Sequence, residues 1–313
     1  MKRLYVKERI TSRIRGARGI ARRLSREIII DRPIFLVGLQ GGGCTLIRRI
    51  LTRCNNTVTV GGNSHLWYGS DEMQNTLSSR LPEEFRLFNC AFFKQAGFGR
   101  GAWVYGTDGY LDHFRKTERD VTPGLKNKFI NAIKYIISKN ALSLDNCRFI
   151  DKSQTYGLKI RFITEILKEY APRFLMVSMN PYLACFKAIG KPALSELNIT
   201  RDEKMKLAAQ HYYNCMNIML DDGSKTGNLN IITFEDFLDE PPRIIKNCCE
   251  FLDLEYIPDM LPSEKDRHPG GYKWYPIRKN AGDEFFSQLT TTDIKTVNRQ
   301  LGSLITDLGY DRL

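Results

Sequence analysis

The chain has 313 residues, 42% of them hydrophobic and 26% charged, with a formal net charge of +12. That length buries one large core or two modest ones. Its eight cysteines fall in no framework spacing, which excludes a disulfide-stapled scaffold and points to reduced thiols in a cytosolic protein.

The basic excess is local. Residues 1–32 hold eleven Lys or Arg against three acids, and the remainder is close to balanced. Ile10, Ile14, Ala17, Ala21 and Leu24 recur at helical spacing, with Arg9, Arg13, Arg18, Arg22 and Arg26 off that stripe. This pattern is that of a basic amphipathic helix able to lie on an anionic membrane surface. Gly16 and Gly19 interrupt it, and a solvated helix docked on the body or an organelle presequence reads the same composition. No apolar run is long enough for a signal peptide or a spanning helix, so the expected location is cytoplasmic, peripheral on the cytoplasmic membrane face. Nucleic acid is a weak candidate for the arm, since no RNA or DNA motif accompanies it. The expected organisation is an arm over 1–32 and one α/β domain over 33–313.

The stretch 33–51 reads PIFLVGLQGGGCTLIRRIL. Ile34, Phe35, Leu36 and Val37 form a short apolar run of the kind found in buried parallel strands. Gly38, Gly41, Gly42 and Gly43 follow, and Thr45 opens a helix with an apolar face. Strand, glycine loop and helix aim several backbone N–H groups at one point, where they can hold a phosphate or sulfate. The spacing from Gly38 to Thr45 fits the nucleotide loop G-x-x-x-x-G-K-[ST] except that Cys44 fills the lysine slot. In that motif the lysine reaches the outer phosphates, so a P-loop kinase is disfavoured. A thiol at a helix N-terminus is activated, and Cys44 is expected to be reactive. The competing reading of the whole stretch is a turn whose glycines serve packing alone.

Further along the chain, strands are predicted near 57–60, 102–105, 147–151, 173–178 and 230–234. Helices are predicted near 44–54, 125–139, 156–170, 182–189, 201–221, 241–252 and 291–307. Such alternation implies a mostly parallel central sheet covered on both faces by helices. The stretch 61–145 carries the fewest periodic segments and is expected to form the acceptor side of a cleft.

Five segments taken in order resemble the sulfotransferase family, which uses 3′-phosphoadenosine 5′-phosphosulfate (PAPS). Residues 34–51 are similar to the family's 5′-phosphosulfate loop, 149–153 (FIDKS) to the strand ending in Lys-[ST]-Pro, and 174–181 (FLMVSMNP) to the 3′-phosphate strand ending in V-R-[ND]-P. Residues 233–236 (TFED) resemble the Y-E-D-L segment, and 278–283 (RKNAGD) the R-K-G-x-x-G-D segment. The resemblance spans about residues 33–310 and implies a P-loop-like sulfotransferase architecture. It also implies a sulfuryl transfer from PAPS to a hydroxyl of a glycan, glycolipid or small metabolite. The chain departs from the pattern at four points. Gly41 stands where the loop has a basic residue and Gly42 where it has a serine, Met179 where the strand ends in arginine, and Lys187 where a serine follows eight positions later. Two outcomes are open: a site that rebuilds its charge from other residues, or a non-catalytic fold that binds a nucleotide or partner.

Sulfuryl transfer needs a base, positive charge at the breaking bond and an in-line geometry. On the resemblance, Gly41, Gly42, Gly43, Cys44, Thr45, Lys187, Arg278 and Lys279 are the cofactor-binding candidates. Arg48 and Arg49 are also cations on the first helix, although solvation alone would explain them. Lys152, just past a strand at the end where open α/β sheets build their sites, is the candidate for charge stabilisation, with Ser153 beside it. A surface lysine with a helix-capping serine is the plain alternative. His65 is the first candidate base, because an imidazole titrates near neutrality. Asp71 and Glu72 are the next candidates or its orienting partners, and a structural hydrogen bond in a loop would equally explain His65. Trp67 and Tyr68 suit stacking on a ring or a place in the core. Asp108 and His113 form a weaker pair. No metal-ligand spacing occurs: there is no H-E-x-x-H and no paired C-x-x-C.

Overall fold

The structure is a computed structural model describing residues 28–54, 56–60, 62–63, 73, 104–267, 273–279 and 282–313. Most of the arm, His65, Trp67, Tyr68, Asp71 and Glu72 lie outside the described residues.

Six strands make one sheet: β1 (Ile34–Gly38), β2 (Thr57–Thr59), β3 (Gly62–Asn63), β4 (Arg148–Asp151), β5 (Arg173–Ser178) and β6 (Leu229–Thr233). Their order is β3-β2-β4-β1-β5-β6. Five are mutually parallel, and the two-residue β3 is antiparallel at the edge. β1 is central and fully buried, and its alternation divides the core. Phe35 and Val37 face one layer, Ile34 and Leu36 the other. Phe35 anchors its layer by ring contacts with Phe129, Phe149, Tyr156 and Phe174.

Eight main helices cover the faces: α1 (Cys44–Leu51), α2 (Pro123–Asn140), α3 (Ile160–Ile166), α4 (Pro181–Ile189), α5 (Arg201–Thr226), α6 (Phe234–Asp239), α7 (Pro241–Leu252) and α8 (Thr291–Leu301). Local chemistry sets their starts. Thr122 caps α2 ahead of Pro123, Asn180 caps α4 ahead of Pro181, and Thr200 and Thr290 form capping boxes with Glu203 and Asp293. α5 runs past its expected end to Thr226, where Gly227 takes the left-handed conformation.

Three expectations need correction. The helix expected over 156–170 is broken. A 3₁₀ segment Gln154–Leu158 precedes α3 because Lys159 has φ −139°, and Lys168–Tyr170 is again 3₁₀. The helix expected over 291–307 splits at Gly302, with Leu304–Asp307 as a separate turn. Val104 and Tyr105 lie in a turn, not a strand.

The amino edge of the sheet is pinned by arginines. Arg148, 5% exposed, donates to the carbonyls of Arg32, Leu252 and Asp253. Arg173 and Arg32 both pair with the Asp253 carboxylate, at 2.7 and 2.8 Å. These cations satisfy the carbonyl end of α7, where the helix dipole is negative. On the other face, Arg115 grips the fully buried Asp222 through two hydrogen bonds of 2.6 Å. Removing the carboxylate strands a largely buried guanidinium. Asp222→Ala should therefore lower unfolding free energy by about 3 kcal/mol, read as a reduced midpoint in urea denaturation.

Candidate functional site

The parallel register places four strand ends side by side. Phe35 pairs with Asp151, Gly38 with Val177, and Ser178 with Thr233. Beyond these pairs lie Lys152 and Ser153 after β4, the glycine loop after β1, Met179 and Asn180 after β5, and Phe234 and Glu235 at the start of α6. This carboxyl edge is where open parallel sheets take ligands.

The loop is tightly enclosed from below. Gly38 has φ +150°, and a side chain there would meet the Val177 carbonyl at 2.5 Å and the Cys44 sulfur at 2.8 Å. Gly43 has φ +89° and lies flat on the Phe234 ring, which a Cβ would penetrate. Gly42 reaches across to Met179, whose Cβ lies 3.9 Å from the position a Gly42 Cβ would occupy. Gly42 N–H closes the turn on the Leu39 carbonyl at 3.1 Å. Gly41 is exposed, and Gly43 and Thr45 are half-buried. The loop therefore leads into the first turn of α1, where helix N–H groups lack intrahelical acceptors.

Cys44 points the other way. Its thiol is 5% exposed and contacts the Val37 carbonyl at 3.6 Å. The side chain in the lysine slot is thus turned into the sheet, which corrects the expectation of a reactive cysteine. The other described cysteines are likewise buried, and none of them forms a disulfide. Arg48 and Arg49 are also corrected: they are 5% and 1% exposed, and Arg49 lies under the Trp274 ring at 4.5 Å.

Lys187 sits on α4, half-buried. Its Nζ lies 3.8 Å from Met179 Sδ and 5.7 Å from the centre of the Phe285 ring. Burial holds its pKa below the ordinary lysine value, with Glu235 opposing that shift and Lys191 adding to it. Gly42, Met179 and Lys187 therefore form a continuous path from loop to ammonium. The Lys187 ammonium thus lies beside the Met179 side chain, two turns into α4.

Glu235 organises the start of α4. Its Oε1 accepts from Asn180 N–H at 2.9 Å, and its Oε2 accepts from the Tyr310 hydroxyl at 3.0 Å. The sequence pattern marked Glu235 within the TFED segment without disclosing this role. Arg278 and Lys279 are exposed, but the segment carrying them is anchored on both sides. Trp274 rests on Arg49 of α1, and Gly282 packs on Leu183 of α4.

Lys152 is partly exposed beside β1. Ser153 does not cap the following turn; its hydroxyl donates to Asp151 Oδ2 at 2.9 Å. Next to them the Tyr105 hydroxyl holds the Gln154 carbonyl at 2.8 Å. Asp108 accepts from Gln210 and Asn214 of α5 rather than serving His113. His211 is buried and neutral, its pKa pushed down to about 3 by burial, and its Nδ1 accepts the Gly106 N–H. It is a structural histidine. Among the described residues no cluster of His, Cys, Asp or Glu could hold a metal ion, and no helix is long and apolar enough to cross a membrane.

No protein-family model matches the chain, and no curated protein matches it. Solved structures do. A sulfotransferase from Mycobacterium avium aligns over 96% of this chain and 82% of its own, with TM-score 0.50 and 10% identity. The sulfotransferase domain of the curacin biosynthetic pathway aligns over 92% of this chain and 100% of its own, with TM-score 0.49 and 14% identity. Retinol dehydratase, solved with androsterone and the inactive cofactor PAP, aligns over 88% and 82%, with TM-score 0.42 and 10% identity. The strand order and the alignment to the M. avium protein lead to one statement about architecture: this chain has the sulfotransferase fold.

Proposed function

We propose that the protein is a PAPS-dependent sulfotransferase acting on a hydroxyl of a glycan, glycolipid or small metabolite. The observation that carries this reading is the contact path from the glycine loop through Met179 to Lys187. It joins a side-chain-free anion cradle, through one intervening side chain, to a half-buried cation on the next βα unit. The residues fit such a group, because the loop takes an anion through main-chain N–H groups and Lys187 adds charge where neutral donors would be weak. Arg278 and Lys279 extend that charge.

When bound, PAPS supplies the sulfuryl group and leaves as the bisphosphate PAP. The amides at Gly43 and the start of α1 would hold the 5′ end, since the Gly42 N–H is spent on the Leu39 carbonyl. Lys152, projecting from the neighbouring strand end, would steady the charge that develops on the bridging oxygen. A base takes the acceptor proton; His65 is the first candidate, with Asp71 and Glu72 behind it.

A second reading is a nucleotide-binding member of the fold without turnover. The burial of Met179, 2% exposed, at the end of β5 favours it, since no side chain can reach outward as a cation from that position. A P-loop kinase is disfavoured by the inward Cys44 thiol.

Incubation with labelled PAPS and a panel of hydroxyl acceptors should transfer label, and PAP should raise the melting temperature. At a hundredfold excess over its dissociation constant PAP adds about 2.7 kcal/mol of stability. PAP binding without transfer to any acceptor selects the second reading, and stabilisation by ATP and magnesium alone selects a kinase. Lys152→Ala should abolish transfer while leaving PAP affinity within a few fold by calorimetry; unchanged transfer removes Lys152 from the reaction. The depressed pKa of Lys187 also sets a sign. Its positive charge is complete at low pH and fades as pH rises, beginning below the ordinary lysine range. PAP affinity should thus weaken on the alkaline side, whereas Lys187→Arg should extend binding to higher pH because a guanidinium stays charged.

A further inference from the structure

Lys187 differs from several other cations of the fold in what surrounds it. Lys126, Lys168, Lys206 and Lys225 each meet a carboxylate at 2.6–3.0 Å. Arg32, Arg148 and Arg173 are saturated by carbonyls and by Asp253. Lys187 meets a thioether and an aromatic face. Glu235 is the acid it feels, but both Glu235 oxygens are occupied by Asn180 N–H and the Tyr310 hydroxyl. Among the described residues this ammonium has no carboxylate in direct contact, and an arriving anion would supply such a contact.

We infer that Phe285 and Met179 are positioning residues that seat the Lys187 ammonium for one phosphate group of a bisphosphorylated nucleotide, the other phosphate lying in the glycine loop. This rests on the reading proposed above. The seat is built from two directions. Met179 is fixed at the end of β5, where the Tyr212 hydroxyl donates to its carbonyl at 2.8 Å. Phe285 comes from the turn Asp283–Phe286. Its ring packs on Phe186 at 5.8 Å, and Phe186 in turn lies under Arg201 at 5.6 Å. Gly282, three residues earlier, seats on Leu183. The same short turn therefore brings both the ring beside Lys187 and the glycine that packs on α4. A π face and a thioether hold an ammonium by polarisation without neutralising it, and that leaves the charge for the ligand.

The test is calorimetric and compares PAP with 5′-AMP, which lacks the second phosphate. Phe285→Leu should weaken PAP about fivefold, the order that a ring contributes to a partly desolvated cation, and leave 5′-AMP unchanged. Phe285→Tyr keeps the ring and should restore PAP binding. Met179→Leu keeps the volume, removes the sulfur, and should also weaken PAP selectively. The seat is overturned if wild-type protein binds PAP but Phe285→Leu loses neither ligand or both equally, or if the tyrosine variant behaves as the leucine variant does. Failure of wild-type protein to bind PAP at all overturns the proposed function, and the seat with it.

Discussion

The turn between β1 and α1 has no space for a side chain at its two ends. At Gly38 the obstruction is the backbone carbonyl of Val177 on the neighbouring strand, and at Gly43 it is the ring of Phe234 at the start of α6. Backbone obstruction of the first kind cannot be relieved by a rotamer change. The close approach brings the ends of β1, β5 and β6 into contact, and everything at the carboxyl edge follows from it. Met179 comes within reach of Gly42 because β5 lies that near. Glu235 can accept from Asn180 because Phe234 is held on the loop. A glycine turn kept only for tight packing would show the same contacts below the loop. It would give no reason for a cation to stand at the far end of the path with a thioether and a ring as its direct contacts.

The two edges of the sheet treat positive charge differently. At the amino edge, arginines from 32, 148 and 173 converge on the last carbonyls of α7 and on Asp253. Their charge is consumed in closing a helix end, and burial of Arg148 is tolerated because its donors are occupied. At the carboxyl edge the cations are held by contacts that do not cancel them. Lys187 has sulfur and a ring, and the 278–279 pair is displayed on a segment clamped at Trp274 and Gly282. The overall basic balance of the chain therefore says little about ligands, while its distribution between edges says much.

What the sequence made legible is what depends on neighbours in the chain. Strand β1, the glycine turn and α1 were readable because an apolar run, glycines and an apolar helix face are local signals. The parallel α/β architecture followed from alternation alone. The breaks at Lys159 and Gly302 were harder. The apolar period continues across both, and only the packing of Gly157 against Met219 and the backbone of Gly302 interrupt the helix. Burial of Arg48 and Arg49 was misread for a similar reason: on a helix of eight residues two adjacent arginines look like a solvated face. Nothing near them in sequence announces Trp274. Phe285 was equally silent, an aromatic in a charged segment whose partner lies almost a hundred residues earlier. Cys44 was visible as a substitution, but its direction depended on the Val37 carbonyl below it.

The rigidity of α4 decides how Lys187 can respond to a ligand. The first turn of that helix is held on its backbone by the Asn180 side chain and by Glu235. The Tyr182 hydroxyl bonds Asn298 on α8 and accepts from the Leu313 N–H, while Asn298 also binds the Leu313 carbonyl at 3.0 Å. Tyr310 closes the circle through Glu235. Constraints from α6, α8 and the last residues of the chain thus meet on one turn, and moving the helix would break several hydrogen bonds together. Lys187 lies beyond that turn on the same rigid body. Its freedom is confined to its own side-chain torsions between Met179 and Phe285. Under the function proposed above, a cation placed this way would approach a phosphate by rotating a few methylenes, with little reorganisation of the fold, and preorganisation of that kind favours binding because less order is lost when a ligand arrives.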